Sequence, residues 1–333
     1  MTRPSRVGIP LAAALRDRWQ GAGVITAFTE LVGCERPVQL APMGGGVGSP
    51  ELAVAVSEAG GLGMLSASFM QPVPDQLAWA RARTHKPLGI GMFAFDLPGR
   101  RDDLEAAAGQ LQVVDLFWGD PDPTVVGSVH DAGALAFWQV GSRDDAVAAA
   151  DAGCDVVVAQ GVEAGGHVRG TTPLLTLLEQ VLAAVDVPVV AAGGIASAAR
   201  LREVMAAGAA GVRVGTRFVA TTESAGHPSY LKALLAATGD GTELTTAFGS
   251  DWPDAPHRVL PSAIAAGTEL PPDELASATY EGSSWQVQRW SSQPPSRWCS
   301  GPVESMAMYA GTGVGDITSV ASVAEVMAAI LGE

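Results

Sequence analysis

Between residues 38 and 215, short apolar runs alternate with alanine-rich segments of helical period, and no other feature of the chain constrains its fold as strongly. The runs are Val38–Ala41, Leu62–Leu65, Leu88–Met92, Val113–Phe117, Leu135–Val140, Val156–Ala159, Val187–Ala192 and Val212–Val214. They are rich in β-branched residues, and the segments between them are long enough for crossover helices, so they predict repeated βα units and a parallel sheet. Val187 to Ala192 is apolar at every position, as a strand must be when helices cover one face and the barrel core fills the other. Eight such units predict an α/β fold, a TIM (β/α)8 barrel.

The helices carry their own punctuation. Ser49, Pro50 and Glu51 supply a cap, a first-turn proline and an acid at the positive end of the dipole, and Gly60 and Gly61 close that helix. Ser142 and Ser197 open two more, ended by Gly153 and Gly208. After Phe218 the rhythm weakens. Residues 249–302 are dense in Pro, Ser and Trp, including Trp252, Trp285, Trp290 and Trp298, and show little helical or strand period. The domain reading is therefore a barrel over 1–248, completed by a closing helix within 303–333, with 249–302 as an inserted C-terminal cap segment. The tryptophans either roof a pocket at the barrel mouth or pack an irregular surface excursion with their own rings. The last helix is expected over Ser319 to Ile330, capped by Thr318 or Asp316.

Composition excludes several classes. A hydrophobic content of 47% with 17% charged residues suits a buried core and not a solvated chain. The formal charge of −15 repels polyphosphate and argues against nucleic acid as a partner. Cys34, Cys154 and Cys299 are too scattered for metal-ligand pairs or a disulfide frame, which fits a reducing cytoplasm. The apolar run Ile9 to Leu15 is followed by Arg16, Asp17 and Arg18 where a signal peptide needs small residues. No uninterrupted apolar stretch reaches the roughly 18 residues of a membrane helix. No metal-ligand spacing, GxSxG elbow or GxGxxG fingerprint occurs.

In a TIM barrel the chemistry lies at the C-terminal ends of the strands. Four such places are informative. Ala41-Pro42-Met43-Gly44-Gly45-Gly46 lets the backbone approach a flat ligand, although a tight turn explains the glycines equally well. Gln160 to Gly166 leads to His167, an imidazole suited to general-base work near neutral pH. Ala192-Gly193-Gly194-Ile195 and Val214-Gly215-Thr216-Arg217-Phe218 follow the seventh and eighth runs. Together the amides of Gly194, Gly215 and Thr216 form a phosphate site that needs no lysine. His85, His130 and His257 are expected to face solvent, and His227-Pro228 to form a turn.

At these residues the chain resembles the nitronate monooxygenase family, formerly the 2-nitropropane dioxygenases, FMN enzymes built on a TIM barrel. The resemblance runs from about Leu31 to Ile317 and rests on Ala41-Pro42-Met43, the Gln160 to His167 block, Ala192 to Ile195, Gly215 to Phe218 and Tyr309-Ala310-Gly311. It implies FMN as cofactor, with Pro42, Met43 and Gly44 along the isoalloxazine and Gln160, Gly165 and Gly166 approaching it. It places the phosphate on Ala192, Gly193, Gly194, Gly215 and Thr216, and makes His167 the catalytic histidine. Gln139, counted with the cofactor-binding residues, stands where the family often has a base, and Gly91 where it often has asparagine. The implied activity is oxidation of alkyl nitronates, and of nitroalkanes, with O2 to a carbonyl compound and nitrite. The alternative is an FMN-dependent, NAD(P)H-driven enoyl-acyl-carrier-protein reductase; a flavin- or phosphometabolite-binding barrel without catalysis is a third reading. The expected partners are the small nitronate or nitroalkane and O2, with a homodimer left open.

Overall fold

All eight apolar runs form strands of one parallel sheet in the computed structural model, which describes residues 25–67 and 70–333. The run Ile9 to Leu15 and the start of the 1–248 unit lie outside the described residues. The barrel strands are β1 (Val38–Leu40), β2 (Gly63–Ser66), β3 (Leu88–Phe93), β4 (Val113–Phe117), β5 (Leu135–Val140), β6 (Val156–Gln160), β8 (Val189–Ala192) and β9 (Gly211–Val214). A two-residue strand, β7 (Gly166–His167), lies outside the sheet. Neighbours run β2-β3-β4-β5-β6-β8-β9-β1. The ring then closes, because the Leu40 amide donates to the Leu62 carbonyl and the Leu62 amide to that of Val38, both at 2.9 Å.

Helix ends follow the punctuation. Ser49 accepts from the Leu52 amide at 3.2 Å, with Pro50 as the first helical residue of Pro50–Glu58. The helix Leu174–Leu182 turns Leu174, Leu177, Leu178 and Val181 to the sheet, the i, i+3, i+4, i+7 stripe of an amphipathic helix. Each of these side chains is buried, a gain of roughly 1.5–3 kcal/mol apiece relative to exposure. The final helix is Val323–Leu331, and its cap is Ser322, which forms a reciprocal box with Glu325; Thr318 and Asp316 play no part in it.

Residues 249–302 hold more regular structure than their periodicity implies. β10 (Glu243–Thr245) pairs with β11 (His257–Val259), and β11 pairs antiparallel with β7, setting His257 opposite His167. A helix spans Pro261–Glu269, and β12 (Ala276–Tyr280), β13 (Ser283–Val287) and β14 (Cys299–Ser300) form a separate small sheet. Its hairpin turns at Glu281 and Gly282, with φ of 48° and 83°, the two left-handed residues that a tight hairpin requires. The strands escaped sequence reading because Ser and Thr fill their outward positions, so the apolar and polar faces contrast weakly. Among the described residues no helix is long and apolar enough to cross a membrane, and no cluster of His, Cys, Asp and Glu could hold a metal ion.

Candidate active site

The strand ends enclose a cleft of about 510 Å³ of atom-free space, part of it open to solvent. Its lining brings together Gln139, Gln160 and Ala192 from β5, β6 and β8 with Gly165, Gly193, Gly194, Gly215 and Thr216 from the turns after β6, β8 and β9, joined by Ala41, Arg213, Gly311 and Gly313. Pro42, Met43, Gly44, Gly166 and His167 lie beyond that lining. The glycines serve two distinct ends. A Cβ on Gly165 would sit 2.6 Å from the Gly311 amide nitrogen, so that glycine permits two backbones to touch. Gly194 has φ +66°, and a Cβ there would meet Thr312 Oγ1 at 2.8 Å. Gly215 is different: its Cβ would meet only Ala41 Cβ, at 3.3 Å, and otherwise point into open space.

Among the described residues no acceptor takes the backbone N–H of Gly194, Gly215 or Thr216. Three amides without acceptors, all on residues that line the cleft at adjacent strand ends, are donors of the kind that can hold an anion. The Thr216 hydroxyl is used differently, accepting from the Gly311 amide at 3.1 Å and tying its turn to the segment 309–311.

His167 sits at the other side of the mouth. Gln160, at the end of β6, donates from Nε2 to the His167 carbonyl at 2.9 Å and so fixes the loop between them. The imidazole is stacked on Trp252 with centroids 4.1 Å apart and planes at 27°. Trp118 meets it edge-on at 5.9 Å, Tyr309 lies at 5.7 Å and His257 at 5.3 Å. Its Nε2 is buried without a partner. Burial among these rings, with a smaller contribution from His257, pushes the pKa of His167 down to about 3, so the ring is neutral at pH 7.

Sequence reasoning misplaced one histidine and overlooked a wall. His257 does not face solvent: it is fully buried, with Nδ1 2.8 Å from the Ala255 carbonyl and Nε2 accepting from the Phe248 amide at 3.1 Å. A Pro-rich context disguised it, yet its place in β11 puts it against β7. His227 caps a helix, its Nδ1 accepting from the Ser229 amide. Phe93, Phe117 and Trp118 at the ends of β3 and β4 also stand at strand ends, but they are neither glycine nor polar, so the sequence carries no signal that they belong to the site. Trp252 packs against Phe93 at 4.8 Å, Phe95 at 5.1 Å and Trp118 at 5.0 Å. Trp118 holds φ +60°, a conformation that costs a bulky residue about 1–3 kcal/mol and is retained where packing over-determines it. Of the four tryptophans of the 249–302 segment, Trp252 covers His167, and Trp298 lies against the turn after β1, where a Cβ on Gly46 would meet its ring at 2.9 Å. Trp290 packs on Phe248, Trp298 on Tyr280, and Trp285 donates to Gln293.

Gly91 has a physical reason. A Cβ there would lie 2.3 Å from Pro42 Cβ, so Pro42 occupies the space that any larger side chain would need.

The arrangement is that of an enzyme of the TIM-barrel class with unpaired amides at its strand ends and a desolvated histidine. The nitronate monooxygenase family model matches residues 26–112 and 99–333, and the chain belongs to that family of flavoenzymes; it is an oxidoreductase. It is 35% identical over 248 residues, 73% of this chain and 68% of the relative, to a 5-hydroxy-7a-methyl-1-oxo-octahydro-1H-indene-4-carboxyl-CoA dehydrogenase of Rhodococcus jostii. It is 33% identical over 296 residues to a nitronate monooxygenase of Pseudomonas aeruginosa, covering 74% of this chain and 84% of that one. Among solved structures, FabK of Thermotoga maritima superposes with a TM-score of 0.74 at 28% identity, over 93% of this chain and 96% of that one. A nitroalkane oxidase of Streptomyces ansochromogenes superposes with a TM-score of 0.70 at 29% identity, over 92% and 97%.

Proposed function

We propose that the chain is an FMN-dependent monooxygenase that oxidises alkyl nitronates with O2 to a carbonyl compound and nitrite. The observation that carries this reading is the set of free amides at Gly194, Gly215 and Thr216 in a cleft that Gln160 also lines, the residue whose side chain donates to the His167 carbonyl. A mononucleotide fits because the cleft has one anion cradle and the chain has no dinucleotide fingerprint. Bound FMN would supply the electron-transfer and oxygen chemistry.

The chain's own residues would do the rest. The three amides hold the phosphate, and Gln139 and Gln160 offer side-chain amides along the cleft. Neutral His167 donates from Nε2 to a nitro oxygen, while Trp252, Trp118 and Phe93 keep water from that contact. A histidine with a pKa of about 3 is a weak general base at pH 7. Preformed nitronate is therefore the preferred substrate, and a neutral nitroalkane, whose α-proton must be removed first, is the slower one.

A second reading is an NAD(P)H-driven reductase, or a dehydrogenase, acting on an acyl thioester. It is favoured by the likeness to the Rhodococcus acyl-CoA dehydrogenase and to FabK, and by an apolar wall that suits an acyl chain. Anaerobic rapid mixing separates the two. Alkyl nitronate is expected to bleach the flavin absorbance quickly and NADH or NADPH slowly; fast bleaching by NADH with no response to nitronate would replace the monooxygenase by the reductase.

A further inference from the structure

The centre of the barrel, below the cleft, holds a charge that no step above uses. Arg213 on β9 is 4% exposed and Asp115 on β4 is 1% exposed, and they pair at 2.6 Å across the barrel. Gln139 on β5 accepts from Arg213 Nη1, and Gln39 on β1 accepts from Nε and Nη2 at 3.3 Å. Barrel interiors are ordinarily layered with branched apolar side chains. Replacing a buried ion pair by such residues is often neutral or stabilising, so a pair kept in this position needs a use beyond stability.

The network is not closed on itself. Asp115 Oδ1 and Gln39 Nε2 are buried without partners. Arg213 has five N–H groups, and among the described residues its recorded acceptors leave one N–H of Nη1 unengaged, on the side of Gln139. Arg213 and Gln139 both line the cleft. A ligand anchored at Gly215 and Thr216 and reaching toward His167 on the other side of the mouth must cross the barrel axis, where the guanidinium lies.

We propose that Arg213 is a further cofactor-binding residue: a fixed cation in the floor of the cleft, aimed by Gln139 and Asp115, for the part of the flavin ring that gains negative charge on reduction. The proposal rests on the flavin reading given above. Because the guanidinium cannot lose its proton, the charge is present at every working pH. Arg213 lines the cleft and Asp115 does not, so the end of the ion pair nearer the ligand is the positive one, and it favours the reduced over the oxidised cofactor in a floor poorly screened by solvent.

The test uses the full-length protein, Arg213→Gln combined with Asp115→Asn so that no carboxylate is left unpaired, and Arg213→Lys. Circular dichroism reports folding, FMN titration into apoprotein reports affinity, and equilibration with a redox dye reports the midpoint potential. The double variant is expected to fold, to bind FMN at least tenfold more weakly, and to shift the dye equilibrium at least tenfold toward oxidised flavin, with Arg213→Lys restoring most of that shift. Gln139→Glu, which sets a counter-charge beside Nη1, is expected to move the potential in the same direction and serves if the double variant does not fold. A folded variant whose potential and affinity stay within twofold of wild type would overturn the proposal while leaving the flavin reading intact. Wild-type protein that takes up no FMN would overturn both.

Discussion

The two sides of the mouth are built from different parts of the chain and obey different rules. The cradle side, at Gly194, Gly215 and Thr216, lies on turns directly after β8 and β9, strands whose residues are buried at every position. The histidine side is a composite, in which His167 of β7 is held by β11 and covered by Trp252, more than 80 residues further along the chain. The cradle inherits its geometry from the closed sheet. The histidine side depends on packing between an irregular excursion and the ends of β3, β4 and β6. The two sides meet through the segment 309–311, which Thr216 holds and whose Tyr309 packs on His167, so a change at Trp252 or at Gly215 should act mainly on its own side.

The largest expected effect is at His167. Replacing it with Ala should lower turnover by about 10²- to 10³-fold, the range for a lost hydrogen-bond donor to developing negative charge, with flavin content unchanged. Loss of flavin in this variant would break the separation. The same residue shapes acid stability. The unfolded chain binds a proton on this ring near 6.5, whereas the folded ring resists it down to about 3. Stability from the neutral ring is thus complete above 6.5 and lost as pH falls toward 3. Urea unfolding of His167→Gln should show a shallower decline over that window.

A smaller effect is expected at Trp252. Its replacement by Ala hydrates the imidazole, and the pKa of His167 should rise from about 3 toward its ordinary value. With the neutral ring as the proposed working form, activity of the variant should fall as pH drops through about 6, where wild type holds its rate. A change of about tenfold in KM should accompany it. A pH profile that superposes on wild type would show that the tryptophan does not desolvate the histidine.

The same contrast explains what the sequence made legible. The eight strands were readable because each must be apolar on both faces, and the glycine turns because their positions after β8 and β9 follow from the barrel. The Ser49 cap was readable for a local reason, the Ser-Pro-Glu signature. The aromatic wall was not, since Phe93, Phe117 and Trp118 look like ordinary strand residues until Trp252 is brought against them. Nor was the role of His257, whose burial depends on a pairing with β7 that no local pattern announces. The Arg213 network did leave a trace: single polar residues inside otherwise apolar strands, in VQL, VVDLF, LAFWQV and GVRV. The Gln139 position, expected to be basic by resemblance, is met instead by the guanidinium of Arg213 arriving from β9. The Ser322–Glu325 box was also visible as S-x-x-E, though Thr318 and Asp316 drew the reading away from it.

Phosphate binding by the free amides is tested most directly by the identity and amount of flavin released on denaturation from wild type and from Gly215→Val. Gly215 is suited to this because its added side chain meets little of the protein and enters the space assigned to the phosphate. Wild type is expected to release close to one FMN per chain, and Gly215→Val to keep its circular dichroism and lose the flavin. Release of FAD, or full FMN occupancy in the folded variant, would contradict it.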